Sequence, residues 1–158
     1  MYILGCSSTL LDFENVANTT FSVPVPQGYG NFNWSSINLL NASYAGNYSG
    51  FYTALTSGQY VIYGTAGTMY SLSNTFTLNS FVSAAGWSDN LCFNIAGFRA
   101  SIRRYFQGFL LQGTVATIIT LNWTDIDMLT LSSCCGIAHT GFQVFNQYFA
   151  IDNMCVTF

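Results

Sequence analysis

Five cysteines, Cys6, Cys92, Cys134, Cys135 and Cys155, and one histidine, His139, hold most of the nucleophilic and soft-ligand chemistry of this chain. The odd cysteine count, the lack of a C-x-x-C pair and the single imidazole argue against a four-ligand zinc site and for disulfides. Two bridges with one sulfur left over are expected, with the pairing open and the spare thiol available to a second molecule. His139 sits in "CCGIAHTG" with no serine or cysteine motif that marks a nucleophile, so it reads as a loop residue and the chain as a non-enzyme. Asp125 and Asp127 in "NWTDIDML" share one strand face, whereas glycoside hydrolysis needs carboxylates on opposite sides of a sugar. They read as satisfied polar residues at a strand end. Glu14 in "LDFEN" and Asp152 in "FAIDN" are the candidate hard-oxygen ligands of a shared structural Ca²⁺, and no other cofactor is expected.

Asn-x-Ser/Thr acceptors for N-glycans stand at Asn18 (NTT), Asn33 (NWS), Asn41 (NAS), Asn47 (NYS) and Asn122 (NWT). Asn33 alternates away from Phe32 and Trp34, and Asn122 away from Leu121 and Trp123, which places both on the face opposite the bulky apolar one. Asn41 and Asn47 lie in a turn-rich loop. Glycans would hydrate a chain that carries little charge of its own. Charged residues are 6% of the sequence, against about 25% in ordinary domains, and none lies between Glu14 and Asp89. Its three cations are Arg99, Arg103 and Arg104, with no Lys, which argues against a nucleic-acid partner.

Mean hydropathy is +0.36, yet polar residues interrupt every window of the length a spanning helix needs, so a membrane partner is not expected. The start, "MYILGCSS", lacks the basic segment and long apolar core of a signal peptide, so a processed chain or a longer precursor is expected.

These groups must be positioned by strands. Period-two alternation runs through "FTLNSFV", "LCFNIAGF", "TVATIITLNW" and "YFAIDNMCVTF", and Gly-, Asn- and Ser-rich turns separate them. An all-β fold follows, an antiparallel β-sandwich of jelly-roll type with about 8–10 strands. Residues 11–158 form that domain, and residues 1–10 an extension able to add a strand to a neighbouring subunit. Two segments are apolar on both faces. In "GQYVIYG", Tyr60 and Ile62 oppose Val61 and Tyr63; in "YFQGFLLQ", Tyr105, Phe109 and Leu111 oppose Phe106 and Leu110. The second face calls for a cover.

The order "LDFEN", "YGNFNW", "GWSDNLCFNIAGF", "LNWTDIDML", "FAIDNMCV" resembles a loosely defined family of secreted jelly-roll domains. They are built like carbohydrate-binding modules and occur in extracellular proteins of unassigned function. The resemblance implies an extracellular or cell-surface setting. It also implies that the Glu14 and Asp152 segments lie on adjacent strands.

The functional expectation is a secreted, N-glycosylated structural protein that assembles with copies of itself into a fibre, sheath or coat. One alternative is a carbohydrate-binding module that stacks sugars on Trp34, Tyr44, Tyr48 or Trp87. Another is a small outer-membrane-type barrel, which leaves the glycan acceptors without purpose.

Overall fold

The computed structural model describes residues 6–16, 18, 21–142 and 144–158. In chain order the elements are β1 (Thr9–Leu11), β2 (Val23–Pro24), β3 (Phe32–Ser35), β4 (Asn38–Asn41), α1 (Gly50–Ala54), β5 (Tyr60–Gly64) and β6 (Ala66–Ser71). Then follow β7 (Phe76–Ala85), β8 (Ser88–Asp89), β9 (Leu91–Arg99), β10 (Ile102–Leu111), β11 (Thr117–Ile126), β12 (Met128–Cys134), β13 (Ile137–Ala138) and β14 (Phe149–Thr157).

The long strands coincide with the alternating segments, because a half-buried strand needs an apolar side chain at every second position. They form two antiparallel sheets. One has the order β11-β7-β14-β5-β4-β2, with β1 also on β14, and the other β10-β9-β12-β6-β3; β8 and β13 pair as a short ribbon. Among the described residues neither sheet closes on itself, so the fold is a sandwich and the barrel alternative is set aside.

Apolar side chains from the two inner faces interdigitate, and aromatic rings carry much of the contact between the sheets. Phe93 on β9 meets Phe81 on β7 at 6.4 Å and Phe149 on β14 at 5.0 Å between centroids. Tyr105 on β10 stacks on Trp123 of β11 at 5.1 Å. Trp34 joins this core at 4% exposure, and its indole N–H donates to the Tyr29 carbonyl. The expectation of an exposed Trp34 is therefore corrected, because on β3 it shares the inward face with Phe32 while Asn33 points out.

The two double-faced strands have different fates. Tyr60 and Ile62 enter the main core, while Val61 and Tyr63 pack in a second cluster with Phe51 and Ala54 of α1. The chain's own single-turn helix is the cover there. Ser49 caps α1 by accepting from the Tyr52 N–H, and the Gly50 N–H donates to the Gly86 carbonyl at 2.7 Å. A Cβ at Gly50 would lie 1.5 Å from the Ala85 carbonyl oxygen, so only glycine permits this approach. On β10 the outward residues Phe106 and Leu110 stay uncovered, at 58% and 62% exposure.

β1 straddles the boundary expected at residue 10. Thr9 and Leu10 pair with Val156 and Cys155 of β14, and Cys6 is bonded to Cys155. From Cys6 onward the segment is tied into its own sandwich, and residues 1–5 fall outside the described ones.

Candidate functional site

The antiparallel register places side chains of directly opposed residues on one face, so the outer face of the five-stranded sheet can be read row by row. Leu110 opposes Cys92, which opposes Cys134; Gly108 opposes Asn94, which opposes Ser132; Phe106 opposes Ala96, which opposes Thr130. The next row runs from Arg103 to Phe98, Met128, Tyr70 and Asn33. The Arg103 guanidinium lies 5.3 Å from the Phe106 ring centroid. This end of the face is therefore mainly apolar, and it adjoins an edge strand of ten residues that, among the described residues, pairs with β9 alone. The outward side of β10 offers unpaired N–H and C=O groups.

Three sulfurs occupy the Leu110 end. Cys92 and Cys134 are half-buried, Cys135 is exposed, and their Sγ atoms lie within 4.8 Å of one another. Cys135 Sγ approaches Cys134 Sγ at 2.8 Å. The neighbouring Cys135 sulfur, with burial second, pushes the Cys134 thiol up to about 11. Among the described residues this trio is the one group of three or more His, Cys, Asp or Glu with metal-ligand spacing. Of the two bridges expected, the fold thus closes Cys6–Cys155, and the other three cysteines are gathered by the β9–β12 register.

Of the five expected glycan acceptors, Asn18, Asn33, Asn47 and Asn122 are exposed, and Asn41 is half-buried. The Asn41 carboxamide oxygen accepts from the N–H and hydroxyl of Ser43, the third residue of its own sequon. Asn122 lies at an irregularity in the β11–β7 register with φ 51°, a conformation asparagine tolerates better than most residues. None of the five is on β9, β10 or β12. Asn33 marks the far edge of the same sheet, four strand spacings or about 19 Å from β10.

Glu14 and Asp152 each grip the segment that leads into β5. Glu14 Oε1 accepts from the N–H groups of Gln59 and Tyr60 at 2.9 Å each. Asp152 Oδ2 accepts from the Thr56 N–H and hydroxyl and the Ser57 N–H, and its Oδ1 from the Asn153 N–H. Burial pushes the Asp152 carboxyl above the ordinary range, against the pull of those hydrogen bonds. Glu14 Oε1 and Asp152 Oδ2 thus clamp one loop between them.

Asp125 and Asp127 both reach Arg99, at 3.5 and 3.4 Å, and Asp127 also accepts from the Ala100 N–H. His139 Nδ1 lies 2.5 Å from Asp89 Oδ2, and its ring packs on Phe142. Burial raises the Asp89 carboxyl, but the His139 and Gly113 hydrogen bonds outweigh it and hold the group below its usual value.

A second surface feature is an open groove of about 540 Å³ beside the 41–54 segment, lined by aromatics that include Phe21, Tyr44, Tyr63, Trp87 and Tyr148. Tyr44 is 59% exposed and packs edge-on against Phe21. Trp87 is half-buried against Phe51.

No protein-family model and no curated protein matches the chain. Among solved structures it is similar to a DUF4465 family protein from Bacteroides ovatus ATCC 8483, with a TM-score of 0.54 and 10% identity over 95% of this chain and 93% of that one. A second is TmCBM61 in complex with beta-1,4-galactotriose, with a TM-score of 0.41 and 7% identity over 83% of this chain and 93% of that one. The likeness to the first is one of fold.

Sequence reasoning did not foresee the thiol trio or the contributions of Phe21, Tyr63 and Tyr148 to the groove. Cys92 and the Cys134–Cys135 pair are joined by strand register alone, and no local motif announces them. The signal for the β10 face was present, as the apolar pair Phe106 and Leu110 on alternate positions.

Proposed function

We propose that this chain is an extracellular, N-glycosylated structural β-sandwich that associates with copies of itself through β10 and the adjoining outer face of its sheet. One observation carries the reading: Phe106 and Leu110 are exposed on a ten-residue edge strand that, among the described residues, is paired on one side only and keeps its two charges, Arg103 and Arg104, near its start. Natural edges are normally blunted by charged residues, Pro or bulges, and residues 105–111, which follow the bulge and carry no charge, are a template for another strand. Glycans at the five acceptors would hydrate the remaining surface and leave this part uncovered. The Cys6–Cys155 disulfide supports an oxidising, extracytoplasmic setting.

The test is sedimentation of the natural glycoprotein in reducing buffer over a wide concentration range. The wild type should associate, and Phe106→Arg together with Leu110→Arg should leave monomers with an unchanged melting temperature, since both sites are exposed. Equal association of wild type and variant would refute the interface.

The aromatic groove favours a second reading, glycan binding by stacking on Tyr44 and Trp87. Retarded migration in a polysaccharide gel, lost in Tyr44→Ala and Trp87→Ala, would support it; migration unaffected by any polysaccharide would exclude it.

A further inference from the structure

We propose that Cys92, Cys134 and Cys135 are a thiol–disulfide exchange site in which Cys92 and Cys134 close a cross-strand bridge and Cys135 forms an interchain disulfide with Cys135 of a second copy. The choice of partner rests on the self-association reading above, whereas the intrachain bridge stands without it.

Geometry selects the pairing. All three sulfurs lie within 4.8 Å of one another, so any two can meet after small side-chain rotations. Cys92 and Cys134 are directly opposed on antiparallel strands, where Cα atoms are about 4.5–5.5 Å apart, inside the range of about 4.4–6.8 Å that disulfides span. Cys134 and Cys135 are consecutive, and consecutive Cα atoms are about 3.8 Å apart across a trans peptide, below that range. The short approach of Cys135 to Cys134 is thus suited to exchange between them and poorly suited to a lasting bridge.

Exposure selects the linking sulfur. Cys135 is the exposed member of the trio and follows the last residue of β12 with φ 65°, where the chain turns out of the sheet. It adjoins the row formed by Leu110, Cys92 and Cys134, two strand spacings or about 10 Å in from β10, so two copies whose outer faces overlap at the Leu110 end bring the two Cys135 sulfurs together.

The oxidant is a low-molecular-weight disulfide, RSSR. Cys135 thiolate attacks one sulfur of RSSR, forming a mixed disulfide and releasing RS⁻, which takes up the proton that Cys135 lost. The Cys135 thiolate of a second copy displaces the second RS⁻, so two Cys135 thiols and one RSSR yield one interchain disulfide and two RSH. Cys92 and Cys134 with another RSSR yield the intrachain bridge and two RSH. In each case the electron pair passes to the reagent.

The experiment equilibrates the full glycosylated chain with mixtures of reduced and oxidised glutathione, blocks free thiols by alkylation, and maps disulfides by peptide mass. The expected result is a reducible dimer joined through Cys135, with Cys92 bonded to Cys134 inside each chain. Cys135→Ser should stay monomeric on a non-reducing gel and keep the Cys92–Cys134 bridge. A lasting bond from Cys135 to Cys92 or Cys134, alkylation of Cys135 at every ratio, or one equivalent of zinc held by the three sulfurs would overturn the proposal. Sedimentation in reducing buffer separates it from the association reading. Association there without a Cys135 cross-link on oxidation defeats this inference alone, and monomers there with a cross-link on oxidation defeat the β10 interface alone.

Discussion

Leu110 on β10 stands directly opposite Cys92 on β9, so an exposed aliphatic side chain and a half-buried thiol share one row of the outer sheet face. The pairing links two features that lie far apart in kind. One is an edge strand whose outward Phe106 and Leu110 stay exposed, and the other is a set of sulfurs gathered by register. Both lie in the part of the sheet that the expected glycan acceptors avoid.

Gly50 is the tightest point beneath α1. Gly50→Ala would drive a Cβ into the Ala85 carbonyl and the Gly86 backbone, and neither can rotate away. The expected loss is about 1–3 kcal/mol of stability, measured by denaturant unfolding, with greater exposure of the Val61 and Tyr63 face. Unchanged stability would mean that α1 does not sit against β7 as described.

Asp152 organises the loop at residues 56 and 57 with three hydrogen bonds and accepts a fourth from the Asn153 N–H. Asp152→Asn keeps one acceptor oxygen but turns an NH₂ toward donors, at a cost of about 1–3 kcal/mol for a buried group left unsatisfied. The pH dependence has a definite sign. A folded-state value raised above the unfolded one contributes stability at pH below about 4, and that contribution is lost as pH rises through the raised value. The deficit of the variant should therefore narrow from pH 4 to pH 7, and a deficit that widens would contradict the assignment.

Asp89 has the opposite sign. Its lowered value means a contribution present above about pH 4 and lost as pH falls through the folded-state value. Melting temperatures of the wild type should decline more steeply on acidification than those of Asp89→Asn. Parallel curves would show that the His139 contact does not stabilise the fold.

The strands were legible because alternation records which face is buried, and β7, β9, β11 and β14 fall where alternation placed them. Trp34 misled when exposure was inferred from residue type, although its own alternation with Asn33 points it inward. The cover over Val61 and Tyr63 was not legible, since α1 is a five-residue turn with no helical period to detect. The sites depend on register between strands distant in sequence. The topology sets Cys92 opposite Cys134 and brings the Glu14 carboxylate to the Gln59 N–H, and one sequence does not encode such pairings in any local pattern.

The central claim is that β10 is an assembly edge, and amide hydrogen exchange read along Ile102–Leu111 tests it most directly. The natural protein in reducing buffer would be labelled when dilute and when concentrated. The account predicts that alternate β10 amides, those facing away from β9, exchange freely in the dilute sample and become protected in the concentrated one. Exchange along β10 that stays the same across the concentration range would contradict it.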